Sequence, residues 1–327
     1  KNLYSEGTFM LKKIICTHGG GRFGNQLLNY IHLTALGLEY PFLEIEQWEL
    51  NKYLSLIDSK FIINNGQLTK LNKIKKPVGS NVLFTNLVNK IKTLSSRFKI
   101  TIYHFYFFLK PNASSIIVGD DGCNIGFIQG DKYSSLVLDD RFINSSNKTV
   151  CLAGWEFRNW DLVNKWKNEI STHLKGVFVN QEQDGKNVLG VHIRGTDFKF
   201  YQGGMLYLSD EKWRFVVSKF LKNNNNKVSS HVYLSDEEKE WSKFINNYNN
   251  AKVSIGSVGY SGDLFDAFSD LIKCKWIITN GSTFALMAAW IGNASVYSAN
   301  DIISNDQINS VDVDDWRTHN YLKGNWM

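Results

Sequence analysis

The chain has 327 residues, of which 43% are hydrophobic and 14% aromatic, and it carries a formal net charge of +6 at pH 7. This composition excludes an intrinsically disordered chain, and the length predicts two domains rather than one. The small positive excess suits an anionic ligand, but it is below the charge of a dedicated nucleic-acid binder. We therefore expect a two-domain protein that binds a small anionic ligand and no nucleic acid.

The four cysteines are far apart and form no Cys-x-x-Cys pair, which predicts free thiols in a reducing compartment and no metal site. No apolar run approaches the roughly 18 residues of a membrane span. Residues 1–9 precede an internal Met10 and resemble the remnant of an expression tag, and no secretory signal follows Met10. These features predict a cytoplasmic protein without a transmembrane segment.

The first predicted unit is a strand over 11–17, a glycine-rich loop, and a helix over 27–37. The loop reads Gly19-x-Gly21-x-x-Gly24, the spacing of a dinucleotide-binding loop. Glycines allow close approach of a ligand, and the start of a helix attracts negative charge. The alternative is a turn that only needs glycine.

The apolar run over 188–193 predicts a buried parallel strand that ends in polar residues. His192, Arg194 and Asp197 lie at or just after its carboxyl end, where open α/β sheets bind ligands. A planar guanidinium such as that of Arg194 can clamp a phosphate with two hydrogen bonds. The alternative is a simple ion pair between Arg194 and Asp197.

Two further strand ends carry candidate ligand contacts. Asp236 follows a predicted strand over 231–235, where its carboxylate either accepts hydrogen bonds from a nucleoside or caps the next helix. Ser282 and Thr283 follow a predicted strand over 276–279 and begin an apolar helix. They predict either a second anion site or an ordinary helix cap.

Glu156 is the candidate general base, because it lies in an aromatic segment over 150–160 where an apolar neighbour would raise its pKa. Core packing is the alternative for this segment. The polar stretch 180–186 is the predicted linker between an N-terminal domain over 10–180 and a C-terminal domain over 187–300. Residues 301–327 are expected to form a tail that packs back on the first domain.

Five stretches, in order, resemble the α-1,2-fucosyltransferase family, which is related to the protein O-fucosyltransferases. Residues 21–27 read Gly-Arg-Phe-Gly-Asn-Gln-Leu, and residues 192–197 read His-Ile-Arg-Gly-Thr-Asp. Residues 233–236 read Tyr-Leu-Ser-Asp and are similar to the family's strand ending in Ser-Asp. Residues 154–160 resemble its central motif, and residues 263–290 resemble its last block.

The resemblance implies a GT-B-like fold, in which two Rossmann-like domains face each other across a cleft. It implies inverting transfer of fucose, or a related deoxyhexose, from a GDP-sugar to a glycan hydroxyl, without a metal or another cofactor. The catalytic candidates are then Arg194, His192, Asp197 and Glu156. The residues implied in binding the GDP-sugar are Gly21, Arg22, Gly24, Asn25, Arg194, Asp236, Ser282, Thr283 and Phe284.

This chain departs from the family at Gly195, which stands where the family has a second arginine. Arg22 is a candidate replacement for that phosphate contact. Two other functions stay open from the sequence: a glycan- or nucleotide-binding module without catalysis, and an NAD-dependent oxidoreductase that uses the loop over 19–24.

Overall fold

In this computed structural model, the described residues are 12–18, 22–47, 50, 59–64, 67–72, 115–118, 127–129, 136–138, 149–153, 159–179, 187–224, 227–237, 239–245, 248, 250–254, 264–305 and 308–310. The chain divides into two compact units, Lys1–Lys167 and Asn168–Met327. The division therefore falls before the predicted linker over 180–186.

The first unit contains a six-stranded sheet of order β4-β3-β2-β1-β8-β5 and a separate two-stranded sheet, β6-β7. The strands are β1 (Lys12–His18), β2 (Leu43–Gln47), β3 (Ser59–Asn64), β4 (Gln67–Asn72), β5 (Ser115–Val118), β6 (Phe127–Gln129), β7 (Leu136–Leu138) and β8 (Thr149–Ala153). Strands β2, β1, β8 and β5 run parallel, whereas β3 and β4 add an antiparallel edge.

Helix α1 (Phe23–Glu39) follows β1 directly and is buried over most of its length. It buries polar as well as apolar side chains, and His32 Nδ1 accepts a hydrogen bond from the backbone N–H of Asn159 at 2.8 Å. Two further helices follow β8, α2 (Trp160–Lys165) and α3 (Lys167–Phe178). The predicted strand and helix at the start of the chain are confirmed, but the helix begins at Phe23 rather than at Leu27, and residues 19–21 of the predicted loop lie outside the described residues.

The second unit is built on a five-stranded sheet of order β11-β10-β9-β12-β13, in which every neighbouring pair is parallel. The strands are β9 (Val188–Ile193), β10 (Ser230–Ser235), β11 (Ala251–Val253), β12 (Trp276–Thr279) and β13 (Ser295–Ser298). Besides α3, its helices are α4 (Asp210–Asn223), α5 (Trp241–Ile245), α6 (Leu264–Ile272), α7 (Thr283–Gly292) and α8 (Ala299–Ser304). A short 3₁₀ helix, Tyr201–Gly204, lies between β9 and α4.

Alternate side chains of β9 point to opposite faces of the sheet, because the side-chain period of a strand is two. Leu189, Val191 and Ile193 enter a core that includes Trp213 of α4 and Ile302 of α8. On the opposite face Gly190 lies against α6, and His192 stacks on Phe284 of α7. Helices therefore cover both faces, which explains why the strands read as continuous apolar runs.

The second unit is a parallel sheet whose strands are connected mainly through helices, and the first is a mainly parallel sheet in which α1 connects β1 and β2. The predicted α/β class with two Rossmann-like units is therefore confirmed by the sheets themselves. Within the part of the chain that the structure describes, no helix has the length and apolar character needed to cross a bilayer.

Candidate active site

The candidate site lies at the carboxyl ends of β9 and β12 in the second unit. Strand β9 comes first in the chain, β10 is added on one side of it and β12 on the other. The order of strands reverses between β9 and β12, and this is the point at which doubly wound sheets open a crevice for ligands. The residues that follow these two strands are Arg194 and Asn280.

Asn280 connects the two strand ends. Its Oδ1 accepts a hydrogen bond from the backbone N–H of Arg194 at 3.2 Å, and its Nδ2 donates to the carbonyl oxygen of Arg194 at 2.9 Å. Nδ2 also donates to the carbonyl oxygen of Leu206 at 2.8 Å. The side chain is completely buried, so these bonds satisfy an amide that would otherwise be costly to remove from water.

Two carboxylates hold the Arg194 guanidinium. Asp197 pairs with it through two bonds, from Nε at 2.8 Å and from Nη2 at 2.7 Å. Asp236 Oδ2 lies 3.2 Å from Nε. The ion pair expected between Arg194 and Asp197 is present, but the Arg194 side chain is only 15% exposed, so it is not a freely solvated surface pair.

The carboxylates use only part of the hydrogen-bonding capacity of the guanidinium. A guanidinium has five N–H donors, and Nε and one N–H of Nη2 are used by the carboxylates. Among the described residues, none accepts a hydrogen bond from Nη1. The edge formed by Nη1 and Nη2 can therefore bind a phosphate oxygen pair while Asp197 stays in place.

Asp236 anchors the loop that carries Arg194. Its Oδ1 accepts hydrogen bonds from the backbone N–H of Gly195 at 2.7 Å and of Thr196 at 3.3 Å, and its Oδ2 accepts from the Thr196 hydroxyl at 2.6 Å. Burial alone would raise the pKa of Asp236, but these bonds and the Arg194 charge lower it below the usual value. The next helix begins at Trp241, so the alternative prediction that Asp236 caps this helix is wrong.

His192 is a buried, neutral imidazole beside the site. Its ring stacks on Phe284, with centroids 5.4 Å apart, and Nδ1 has no hydrogen-bond partner among the described residues. Burial lowers the pKa of His192 to about 4, and the nearby Arg194 charge acts in the same direction against the opposing effect of Asp236. At neutral pH His192 therefore offers a hydrogen-bond donor and no positive charge.

Helix α7 begins beside these groups. Ser282 occupies the capping position, but its hydroxyl makes no capping hydrogen bond, and Oγ is buried without a partner among the described residues. The backbone N–H of Ser282 donates instead to Thr279 Oγ1 at 3.3 Å. Thr283 and Phe284 form the first turn, where N–H groups and the helix dipole favour an anion. The alternative prediction of a helix cap is confirmed for the position of Ser282, but not for a side-chain capping hydrogen bond.

Gly195 lies against a small cluster of charges. A Cβ atom at this position would lie 2.3 Å from the carboxyl carbon of Glu237, so any side chain would overlap Glu237. Glu237 is held by Lys199 at 2.8 Å and by Lys239 at 2.9 Å. Lys239 also pairs with Asp210 at 2.7 Å. Glu237 therefore occupies the space into which a side chain at position 195 would project.

The predicted residues of the first unit are described only in part. Arg22 precedes helix α1, and its carbonyl oxygen accepts hydrogen bonds from the N–H groups of Asn25 and Gln26. Gly24 and Asn25 lie in the first turn of α1, with Gly24 buried and Asn25 partly exposed. Gly21 and Glu156 lie outside the described residues, so their predicted roles stay predictions.

Neither Asn280 nor Thr196 nor Glu237 was a predicted site residue, although all three shape the loop after β9. Asn280 and Arg194 are 86 positions apart in the chain, and nothing in either local pattern pairs them. The signal for Asn280 was its place directly after a buried strand.

The described residues contain no group of three or more histidines, cysteines or acidic residues arranged to bind a metal ion.

Comparison with known proteins finds similarity at the level of structure only. No family model matches the chain, and no curated protein matches its sequence. Among solved structures, a mutant of Arabidopsis thaliana FUT1 in complex with GDP aligns with a TM-score of 0.45 and 10% identity over 90% of this chain and 71% of that chain. The E. coli heptosyltransferase WaaC with ADP aligns with a TM-score of 0.45 and 10% identity over 88% and 86% of the two chains.

The fucosyltransferase NodZ from Bradyrhizobium aligns with a TM-score of 0.33 and 11% identity over 52% of this chain. The alignment spans 59% of the NodZ chain, which is less than two thirds of its length.

Proposed function

We propose that this protein is a glycosyltransferase that transfers fucose, or a related deoxyhexose, from a GDP-sugar to a glycan hydroxyl with inversion at the anomeric carbon. The observation that carries the proposal is Arg194, which two carboxylates fix at the switch point of a parallel sheet through Nε and Nη2, with no acceptor for Nη1 among the described residues. The resemblance of residues 192–197 and 263–290 to the α-1,2-fucosyltransferases supports the choice of donor.

In the proposed reaction the acceptor hydroxyl oxygen forms a bond to the anomeric carbon. The bond from that carbon to the β-phosphate oxygen breaks, its electron pair stays on GDP, and the acceptor proton is lost to a base. Arg194, the start of α7 and the neutral His192 would stabilise the charge that develops on the phosphate. Fixed donors of this kind need little rearrangement as charge develops, which is why they accelerate bond breaking.

Asp197 is assigned to orienting Arg194, because both of its oxygens are bound to the guanidinium. Asp236 is assigned to holding the loop, and its contact with the nucleoside stays a prediction. Glu156 stays a candidate base. Binding of the sugar or the acceptor by Gly21, Arg22, Gly24 and Asn25 of the first unit is proposed from the resemblance alone.

Turnover of a GDP-sugar tests the proposed transferase activity. The protein is incubated with GDP-fucose and other GDP-deoxyhexoses and a panel of glycan acceptors, and released GDP and the linkage of the product are measured. We expect acceptor-dependent GDP release and a glycoside of inverted configuration. We also expect EDTA to leave the rate unchanged, and a rate abolished by EDTA and restored by a divalent cation would contradict metal independence.

A non-catalytic binding module is the second candidate. It is favoured by the charge balance around Arg194, where two carboxylates face one guanidinium, and by Gly195 in place of a second arginine. A protein that binds GDP with Arg194-dependent affinity but consumes none of the GDP-sugars would support this candidate against the transferase.

A further inference from the structure

The loop after β9 must place one guanidinium accurately, although it has little regular structure of its own. From Arg194 to the start of α4 at Asp210, the described backbone contains turns and one short 3₁₀ helix. A phosphate clamp works only if the guanidinium is held at a fixed distance and angle. Something outside the loop has to fix its backbone.

The carboxylates of Asp197 and Asp236 fix the guanidinium itself, but Asp197 belongs to the same loop and would move with it. Asp236 reaches the backbone of Gly195 and Thr196 from β10. The backbone of Arg194 is held from the other side, by the Asn280 side chain beyond β12. The loop is therefore fixed between the two strands that flank β9.

Asn280 binds Arg194 as a neighbouring strand would. It accepts from the N–H of Arg194 and donates to its carbonyl oxygen, and so it extends the pairing of β9 with β12 past Thr279 by means of a side chain. The β12 backbone is then free to turn into the start of α7. The bond from Nδ2 to Leu206 also ties the far part of the loop to the same amide.

We infer that Asn280 is a positioning residue, which sets the direction of the Arg194 guanidinium by holding the Arg194 backbone and the loop at Leu206 to the end of β12. This inference rests on the proposed function, because it assumes that Arg194 binds the phosphates of the donor. Asn280 itself has its amide engaged with the protein and is buried, so it acts through Arg194 and not on the ligand.

The experiment is a double-mutant cycle on ligand affinity with Asn280→Ala, Arg194→Ala and the double variant. The probes are inorganic pyrophosphate and GDP, and Kd is measured by calorimetry well below the Tm of each variant. Asn280→Ala removes three hydrogen bonds without adding charge, and we expect it to weaken binding about tenfold when Arg194 is present. In the Arg194→Ala background we expect less than about a twofold effect, because the group that Asn280 positions is gone.

Cys274→Ala is the matched control, since Cys274 is buried just before the amino end of β12 and Asn280 follows its carboxyl end. It should lower Tm through lost packing and leave both affinities unchanged. If Asn280→Ala unfolds, Asn280→Ser, which keeps a small polar group, replaces it in the same cycle.

Equal losses with and without Arg194, or an unchanged affinity in Asn280→Ala, would overturn the inference. Failure of the proposed function gives a different result, which is read from the wild-type protein. A wild-type protein that binds pyrophosphate but not GDP contradicts the proposed donor, and the Asn280–Arg194 coupling is then read from the pyrophosphate data.

Discussion

The two ends of strand β9 differ in their surroundings. Near its amino end Gly190 leaves no room for a side chain, because a Cβ atom there would lie 2.9 Å from both Cys274 Sγ and Leu271 Cδ2. At its carboxyl end the neighbours are polar, and Asp236 and Asn280 satisfy the backbone of the loop with their side chains. Apolar packing therefore surrounds the amino end, whereas hydrogen bonds from polar side chains fix the backbone around Arg194 at the carboxyl end.

This difference means that stability and ligand binding can be changed separately within one strand. Substitutions at the amino end should alter the free energy of unfolding and leave the chemistry intact. Substitutions of the polar residues at the carboxyl end should act mainly on binding and rate, because of the residues over 194–209 only Leu208 belongs to the apolar core around Trp213.

The largest effect is expected from Arg194→Ala. Loss of one fixed cationic donor should lower kcat/KM for the GDP-sugar by about 10²–10³-fold. The free energy of unfolding should fall by up to about 3 kcal/mol, because Asp236 loses a neighbouring cation but keeps its bonds to Gly195 and Thr196. Steady-state kinetics and urea unfolding measure the two quantities, and a near-normal kcat/KM would remove Arg194 from the mechanism.

The opposite pattern is expected from Gly190→Ala. The added methyl group must displace Cys274 and Leu271 from a tightly packed interior, which should cost about 1–3 kcal/mol of unfolding free energy. Measured below its Tm, the variant should keep kcat/KM within about twofold of wild type. A large kinetic loss would show that the two ends of β9 are coupled.

Gly195→Ala adds the same methyl group at the functional end. It should force the Glu237 carboxylate away from Lys199 and Lys239, disturb the loop beside Arg194, and lower kcat/KM about tenfold. The combined variant Gly195→Ala with Glu237→Ala makes room for the methyl group and should recover part of the loss. No recovery would mean that the overlap with Glu237 is not the cause.

The smallest effect is a pH dependence of stability from His192. Its pKa is about 4 in the folded chain, against about 6.5 in an unfolded one, so the unfolded chain binds the extra proton between these values. Stability should therefore fall as the pH decreases from 7 to 5, by on the order of 1 kcal/mol from this residue. In His192→Gln this contribution to the pH dependence of stability should be absent. Urea unfolding at pH 7 and pH 5 measures it, and equal losses of unfolding free energy in wild type and His192→Gln would contradict the assignment.

Much of the second unit was predictable because its strands and helices are long apolar patterns with clear ends. The predicted strand over 276–279 has the observed bounds. Local patterns also placed Arg194 and Ser282 at strand and helix ends. The local patterns could not show which strand and helix ends contact each other in the folded chain.

The missing information concerns pairs of residues that are distant in the chain. The sequence suggested a nucleoside contact or a helix cap for Asp236, yet its carboxylate binds Gly195 and Thr196, about forty positions earlier. Such contacts depend on the order of strands in the sheet, and neither periodicity nor local motifs encode that order directly. The same reason explains why Asn280 was not a predicted site residue.

The most direct test of the central claim is nucleotide selectivity, measured as the shift in Tm with GDP, UDP, ADP and NAD at matched concentrations. A ligand that binds only the folded chain raises Tm by mass action. The account predicts that GDP raises Tm the most and that Arg194→Ala abolishes this shift. Stabilisation by UDP or NAD without stabilisation by GDP would contradict it.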